Sequence, residues 1–167
     1  FISNRKDNVV LIDAFEGLRG RLQFTAVRQT GTTWILAMYA VWCAMTSTTT
    51  TLYVTHKHQS VDHVMKIMHE ICRYYRNGLL ASKLEKYTTT SLEFKDGSRI
   101  YVTPASHRGA KSCTVHNLIM DNVLYDKTLH EETIMAMMPV ISSINNYKFI
   151  DLMTYETEEF LKKVGLA

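Results

Sequence analysis

The stretch Ala26-Val27-Arg28-Gln29-Thr30-Gly31-Thr32-Thr33 decides the fold. Leu22 to Val27 reads as a short strand, and Thr32 to Met45 is an almost unbroken apolar run that reads as a helix. Arg28-Gln29-Thr30-Gly31 makes a tight turn between them. Strand, glycine turn and helix together form an anion site. The first N–H groups of a helix lack carbonyl partners and carry a partial positive charge.

Working outward, Asn8 to Phe15 reads as helical, with Val9, Ile12 and Phe15 near a 3.6-residue period, followed by Gly17 and Gly20. Thr46 to Thr51 mixes Ser and Thr and leads into a buried strand, Leu52 to Thr55. Ser60 to Tyr75 is an amphipathic helix with Val61, Val64, Ile67, Met68 and Ile71 on one face and Ser60 as its N-cap. Thr88 to Phe94 and Arg99 to Thr103 alternate as strands around Lys95-Asp96-Gly97-Ser98, a hairpin signal. Val115 to Met120 is a further apolar strand. Glu131 to Met138 is helical and ends near Pro139, Phe149 to Thr154 is a strand, and Thr157 to Val164 a last short helix. Strands alternating with helices predict an α/β domain, a mostly parallel sheet flanked by helices, with an inserted β-hairpin.

Composition bounds the rest. A chain of 167 residues, 46% apolar, holds one domain with its own core and is not disordered. The net charge of +3 permits contact with a polyanion without arguing for one. The cysteines Cys43, Cys72 and Cys113 are odd in number and form no CxxC, so a disulfide framework or zinc ribbon is not expected and an intracellular setting fits. No signal peptide is visible, a start on Phe1 reads as a fragment, and Trp34 to Met45 falls short of the ~20 residues of a membrane span.

The P-loop pattern G-x-x-x-x-G-K-[ST] aligns with 26–33. Gly31 and Thr33 match. Ala26 stands at the first glycine and Thr32 at the lysine. On its own this also fits a Gly-Thr-Thr turn capping an ordinary helix. The strand Val115 to Met120 ends in Asp121, where a Walker B acid would hold Mg²⁺; the next residue, often a water-orienting Glu, is Asn122.

These residues together resemble the ATPase domain of terminase large subunits, the DNA-packaging motors of tailed phages and herpesviruses. Arg28-Gln29-Thr30-Gly31-Thr32-Thr33 is similar to the family's Arg-Gln-x-Gly-Lys-Thr, and Phe94 to Ile100 to its Phe-x-Asn/Asp-Gly-Ser-x-Ile hairpin. Ala105-Ser106 with Arg108-Gly109 resembles the Ala-Ser…Arg-Gly stretch, and Leu118 to Asn122 resembles Leu-Ile-x-Asp-Glu. Phe149 to Thr154 resembles the strand whose terminal Ser or Thr is the coupling motif. The order holds from about Leu22 to Thr154.

The resemblance implies a single P-loop NTPase domain of the ASCE/RecA-like class over 1–167, without the C-terminal nuclease domain. It implies ATP as substrate with Mg²⁺, and nucleotide binding by Arg28, Gln29, Thr30, Gly31, Thr32 and Thr33. Thr33 and Asp121 would hold the metal. Asp121, Asn122, Arg28 in cis and Arg108 in trans are the candidate catalytic positions, and Thr154 the coupling residue. The implied partners are double-stranded DNA, a portal protein, a small terminase subunit, the nuclease domain and further copies in a ring, the fragment alone being a monomer. The setting is the infected host cell, with no membrane.

Two departures bear on activity. Thr32 removes an ammonium at the phosphates, with no Lys anywhere from Asp7 to His56, and Asn122 removes a carboxylate for the water. Three readings follow: a motor ATPase, a nucleotide-binding fold that serves as an inactive scaffold or ring component, or a helicase-like ATPase of another family. His56, His58 and His63 lack a Cys or carboxylate to complete a zinc set, and His69-Glu70 has Arg73 where a zincin's second His would be. Met135, Met137 and Met138 read as core filler.

Overall fold

The computed structural model of the chain describes residues 20–27, 29–78, 80–105, 114–123 and 127–155. The helices expected at 8–15 and 157–164, and Arg28, Ser106, Arg108, Gly109 and Cys113, lie outside them.

Seven strands form one sheet. They are β1 (Gly20–Val27), β2 (Thr50–Thr55), β3 (Leu84–Tyr87), β4 (Ser91–Phe94), β5 (Arg99–Pro104), β6 (Asn117–Asp121) and β7 (Lys148–Tyr155). The order is β1-β7-β6-β2-β5-β4-β3. The first five in that order are parallel, and β4 and β3 continue antiparallel. Among the described residues there are three α-helices: α1 (Thr32–Thr46), α2 (His58–Tyr74) and α3 (Lys127–Ser142).

The central strands are apolar on both faces, as a doubly covered sheet requires. Tyr53, Ile119, Ile150 and Leu152 pack with Leu36, Ala40, Val64 and Met68 of α1 and α2. The alternate residues Leu52, Val54, Leu118, Met120 and Phe149 pack with Met137 and Ile141 of α3. The period of two along each strand sorts the side chains between these cores.

The hairpin turns where Asp-Gly stands. Gly97 has φ +88°, in the left-handed region that suits glycine, and Asp96 Oδ1 accepts the Ser98 N–H at 2.9 Å. The first hairpin strand starts later than expected, at Ser91. Thr88 and Thr90 instead form a turn in which Thr88 Oγ1 accepts the Ser91 and Thr90 N–H groups.

Three expectations need correction. Ser60 is not the N-cap of α2. The helix starts at His58 with Lys57 as cap, because Thr55 Oγ1 donates to the Lys57 carbonyl at 3.0 Å and closes the connection early. Pro139 lies inside α3, which runs from Lys127 to Ser142. The carbonyl its missing N–H would have bonded belongs to Met135, 78% exposed, where water can serve it. That exposure also removes Met135 from the core, whereas Met137 is fully buried.

Strand β3 has no counterpart in the sequence reading. It is an exposed edge strand, Leu-Glu-Lys-Tyr, without an apolar face to betray it. Cys43 and Cys72 are buried free thiols, and burial pushes Cys72 up to about 11, which leaves it unreactive. No described helix is long and apolar enough to cross a membrane.

Candidate nucleotide and metal site

The site forms at the carboxyl ends of β1, β6 and β7, where ligands of parallel sheets gather. β1 ends at Val27, and Thr30 Oγ1 donates to the Val27 carbonyl at 2.7 Å, closing the turn. Gln29 and Gly31 both have positive φ, +64° and +80°. Gly31 caps α1 without a side-chain hydrogen bond, and its carbonyl accepts the Ile35 N–H at 3.2 Å. The first-turn N–H groups of α1 therefore have no carbonyl of their own helix, and no acidic side chain occupies that turn. An anion meets donors and the positive end of the helix dipole there.

Thr33, the second residue of α1, brings its hydroxyl to Asp121. Thr33 Oγ1 donates to Asp121 Oδ2 at 3.1 Å. Tyr53 OH, from β2, donates to the same oxygen at 2.8 Å. Asn122 Nδ2 donates to Asp121 Oδ1 at 3.0 Å. Its own Oδ1 accepts both the Thr154 N–H and the Thr154 hydroxyl, each at 2.7 Å. The Thr154 N–H can only donate, which fixes the amide with its oxygen toward β7 and its nitrogen toward Asp121. Asn122 adopts φ +61°, one of the few non-glycine conformations of this kind among the described residues. One chain of bonds thus runs Thr33–Asp121–Asn122–Thr154 across three elements.

Asp121 is buried, and burial raises its carboxyl above the ordinary 3.8; the Tyr53 and Thr33 hydrogen bonds and the nearby His63 pull it back in part. Tyr53 is held well above its ordinary range by burial first and by the Asp121 charge second.

The structure brings Thr33, Asp121, Asn122 and Thr154 together, with Gln29, Thr30, Gly31 and Thr32 in the adjoining loop and first turn. Thr32, at the lysine position of the P-loop pattern, is buried at 7% exposure. Arg28 and Arg108 lie outside the described residues. The sequence reading missed Tyr53, because it belongs to no motif and reaches the site only through the pairing of β2 with β6. No group of three or more His, Cys, Asp or Glu suited to a metal occurs among the described residues. Mg²⁺, however, is commonly held by one or two carboxylates completed by phosphates and water. A hydroxyl and a buried carboxylate, both hard oxygen donors, fit that ion.

Comparison with solved structures finds the same architecture elsewhere. The large terminase of bacteriophage HK97 superposes with a TM-score of 0.68 at 12% identity, over 89% of this chain and 32% of that one. The ATPase domain of the Thermus phage P74-26 large terminase matches in an arginine-to-alanine variant with a TM-score of 0.64 at 13% identity, over 92% and 67% of the two chains. The chain has the fold of a large-terminase ATPase domain. A second structure of the Thermus phage domain matches at TM-score 0.58 and 14% identity, over 85% of this chain and 62% of that one. The terminase ATPase fold here is accordingly a seven-stranded, mostly parallel sheet with α1 and α2 on one face and α3 on the other. No family model and no curated protein matches the sequence.

Proposed function

We propose that this chain is the ATPase lobe of a terminase large subunit, binding ATP with Mg²⁺ and hydrolysing it slowly or not at all without further groups. The observation that carries the reading is the contact of Thr33 Oγ1 with Asp121 Oδ2, 3.1 Å, beside an uncapped helix N-terminus. It joins the strand-turn-helix element to the acid of a strand two places away in the sheet.

The first-turn N–H groups of α1 and the loop 28–33 receive the phosphates. Thr33 and Asp121 would hold Mg²⁺, which would supply charge neutralisation for bound phosphates. Asn122 orients but takes no proton from water, since its amide is not a base and its oxygen is engaged by Thr154. Thr154 links the state of Asp121 and Asn122 to β7, a coupling role. Arg28 in cis and Arg108 from a neighbouring copy are the candidates to stabilise charge on the transferring group. The physiological partners of this reading are double-stranded DNA, a portal, a small subunit, a nuclease domain and a ring of copies, inside an infected host cell.

The second reading, a nucleotide-binding scaffold without turnover, is favoured by Thr32 and Asn122. Removing two parts of a machine that works by positioning and charge costs orders of magnitude in rate. The test measures binding of a fluorescent ATP analogue with Mg²⁺ or EDTA, and hydrolysis by wild type, Thr32→Lys and the Thr32→Lys/Asn122→Glu pair. Weak, Mg²⁺-dependent binding with little turnover in wild type, and turnover rising at least ~100-fold in the pair, is expected. Ordinary motor rates in the wild type would overturn the reading of the missing groups. A folded pair (checked by melting, since position 32 is buried) without any gain would favour the scaffold.

A further inference from the structure

Tyr53 presents a hydroxyl where the core asks for none. Its ring is fully buried among α1, α2 and the sheet, and Phe would fill the same volume. A hydroxyl at that depth is unfavourable unless paired, and it is paired with Asp121 Oδ2 at 2.8 Å. Thr33 Oγ1 meets the same oxygen at 3.1 Å, while Asn122 takes Oδ1 at 3.0 Å. Three donors from three directions leave the carboxylate one orientation. The Thr33 proton is committed to Asp121, which leaves the lone pairs of that hydroxyl available to a cation.

We propose that Tyr53 is a positioning residue of the metal site, whose hydroxyl holds Asp121 against Thr33 before any cation arrives. The inference rests on the nucleotide–metal reading above. Partners of this kind, one shell behind a metal ligand, typically change metal affinity by ~10–100-fold when removed. Tyr53 touches neither nucleotide nor metal in this scheme, so its effect belongs to the metal dependence of binding and not to binding of the metal-free nucleotide.

The test titrates Mn²⁺ into the full chain at a fixed concentration of fluorescent ATP analogue, for wild type, Tyr53→Phe and a variant carrying p-aminophenylalanine at position 53. Binding in EDTA and thermal melting are followed in parallel. The Mn²⁺ concentration for half-maximal binding should rise about ten-fold in Tyr53→Phe, with EDTA binding unchanged, and return toward wild type when an N–H donor is restored. An unaltered midpoint in Tyr53→Phe, whatever happens to its melting temperature, would make Tyr53 a core filler and overturn the inference alone. A wild type without any Mn²⁺ dependence would overturn the metal-site reading itself and this inference with it.

Discussion

Burial of Asp121 penalises its charged form. Burial outweighs the hydroxyl donors and His63, so the folded state binds the carboxyl proton more tightly than the unfolded chain does. A folded value above the ordinary 3.8 means that stability is full below that pH and falls as pH rises through the folded value, then levels. Relative to Asp121→Asn, the wild type should therefore lose melting temperature as pH is raised from the acidic end of this window. A difference that moves the other way would show that the hydrogen bonds outweigh burial. Mg²⁺ with nucleotide should raise the melting temperature of the wild type and leave Asp121→Asn nearly unmoved, by mass action. Gly31, Thr33, Asp121 and Asn122 were legible in the sequence because each sits at a break between periodic segments. Tyr53 was not, since a tyrosine in an apolar strand looks like any core aromatic until β2 is known to lie beside β6.

Among elements, β7 carries the linkage. It lies between the strand that feeds the phosphate loop and the strand that ends in the acid, and its two faces do different work. Thr154 faces Asn122 on one side. On the other, Asp151 Oδ2 accepts from Arg21 of β1 at 2.8 Å and from His130 Nε2 of α3 at 2.9 Å. Asp151 and His130 are buried, whereas the Arg21 side chain is 43% exposed and lies over the Phe149 ring. Asp151→Ala should thus cost about 2–3 kcal/mol in denaturant unfolding, from hydrogen bonds to a buried charge. Arg21→Ala should cost under ~1 kcal/mol, as solvent screens that pair. Equal losses would mean that the Arg21 pair, not the His130 contact between α3 and β7, carries the energy of the Asp151 interactions. The hairpin and the parallel strands were readable from Asp96-Gly97 and from the apolar runs. Strand β3 and the true start of α2 were not, because edge pairing depends on a partner strand and the Thr55–Lys57 contact leaves no mark on the hydrophobic period.

For the whole molecule, the chain carries a net charge of +3, and the candidate site lies at the carboxyl ends of β1, β6 and β7. In the proposed motor the charge that Thr32 lacks comes in part from a neighbouring copy, with Arg108 as the candidate. In an assembled, catalytically restored ring, Arg108→Ala subunits mixed with wild type should reduce DNA-stimulated hydrolysis by more than their fraction. A strictly proportional loss would confine Arg108 to its own subunit. The most direct measurement of the central claim is a crystal structure of the chain at saturating Mn²⁺ and a non-hydrolysable ATP analogue, with the metal located by anomalous scattering. The expected result is phosphates against the N–H groups of 29–33 and a Mn²⁺ peak held by Thr33 and Asp121, directly or through water. A peak remote from that pair, or a nucleotide seated away from the Gly31 turn, would contradict it.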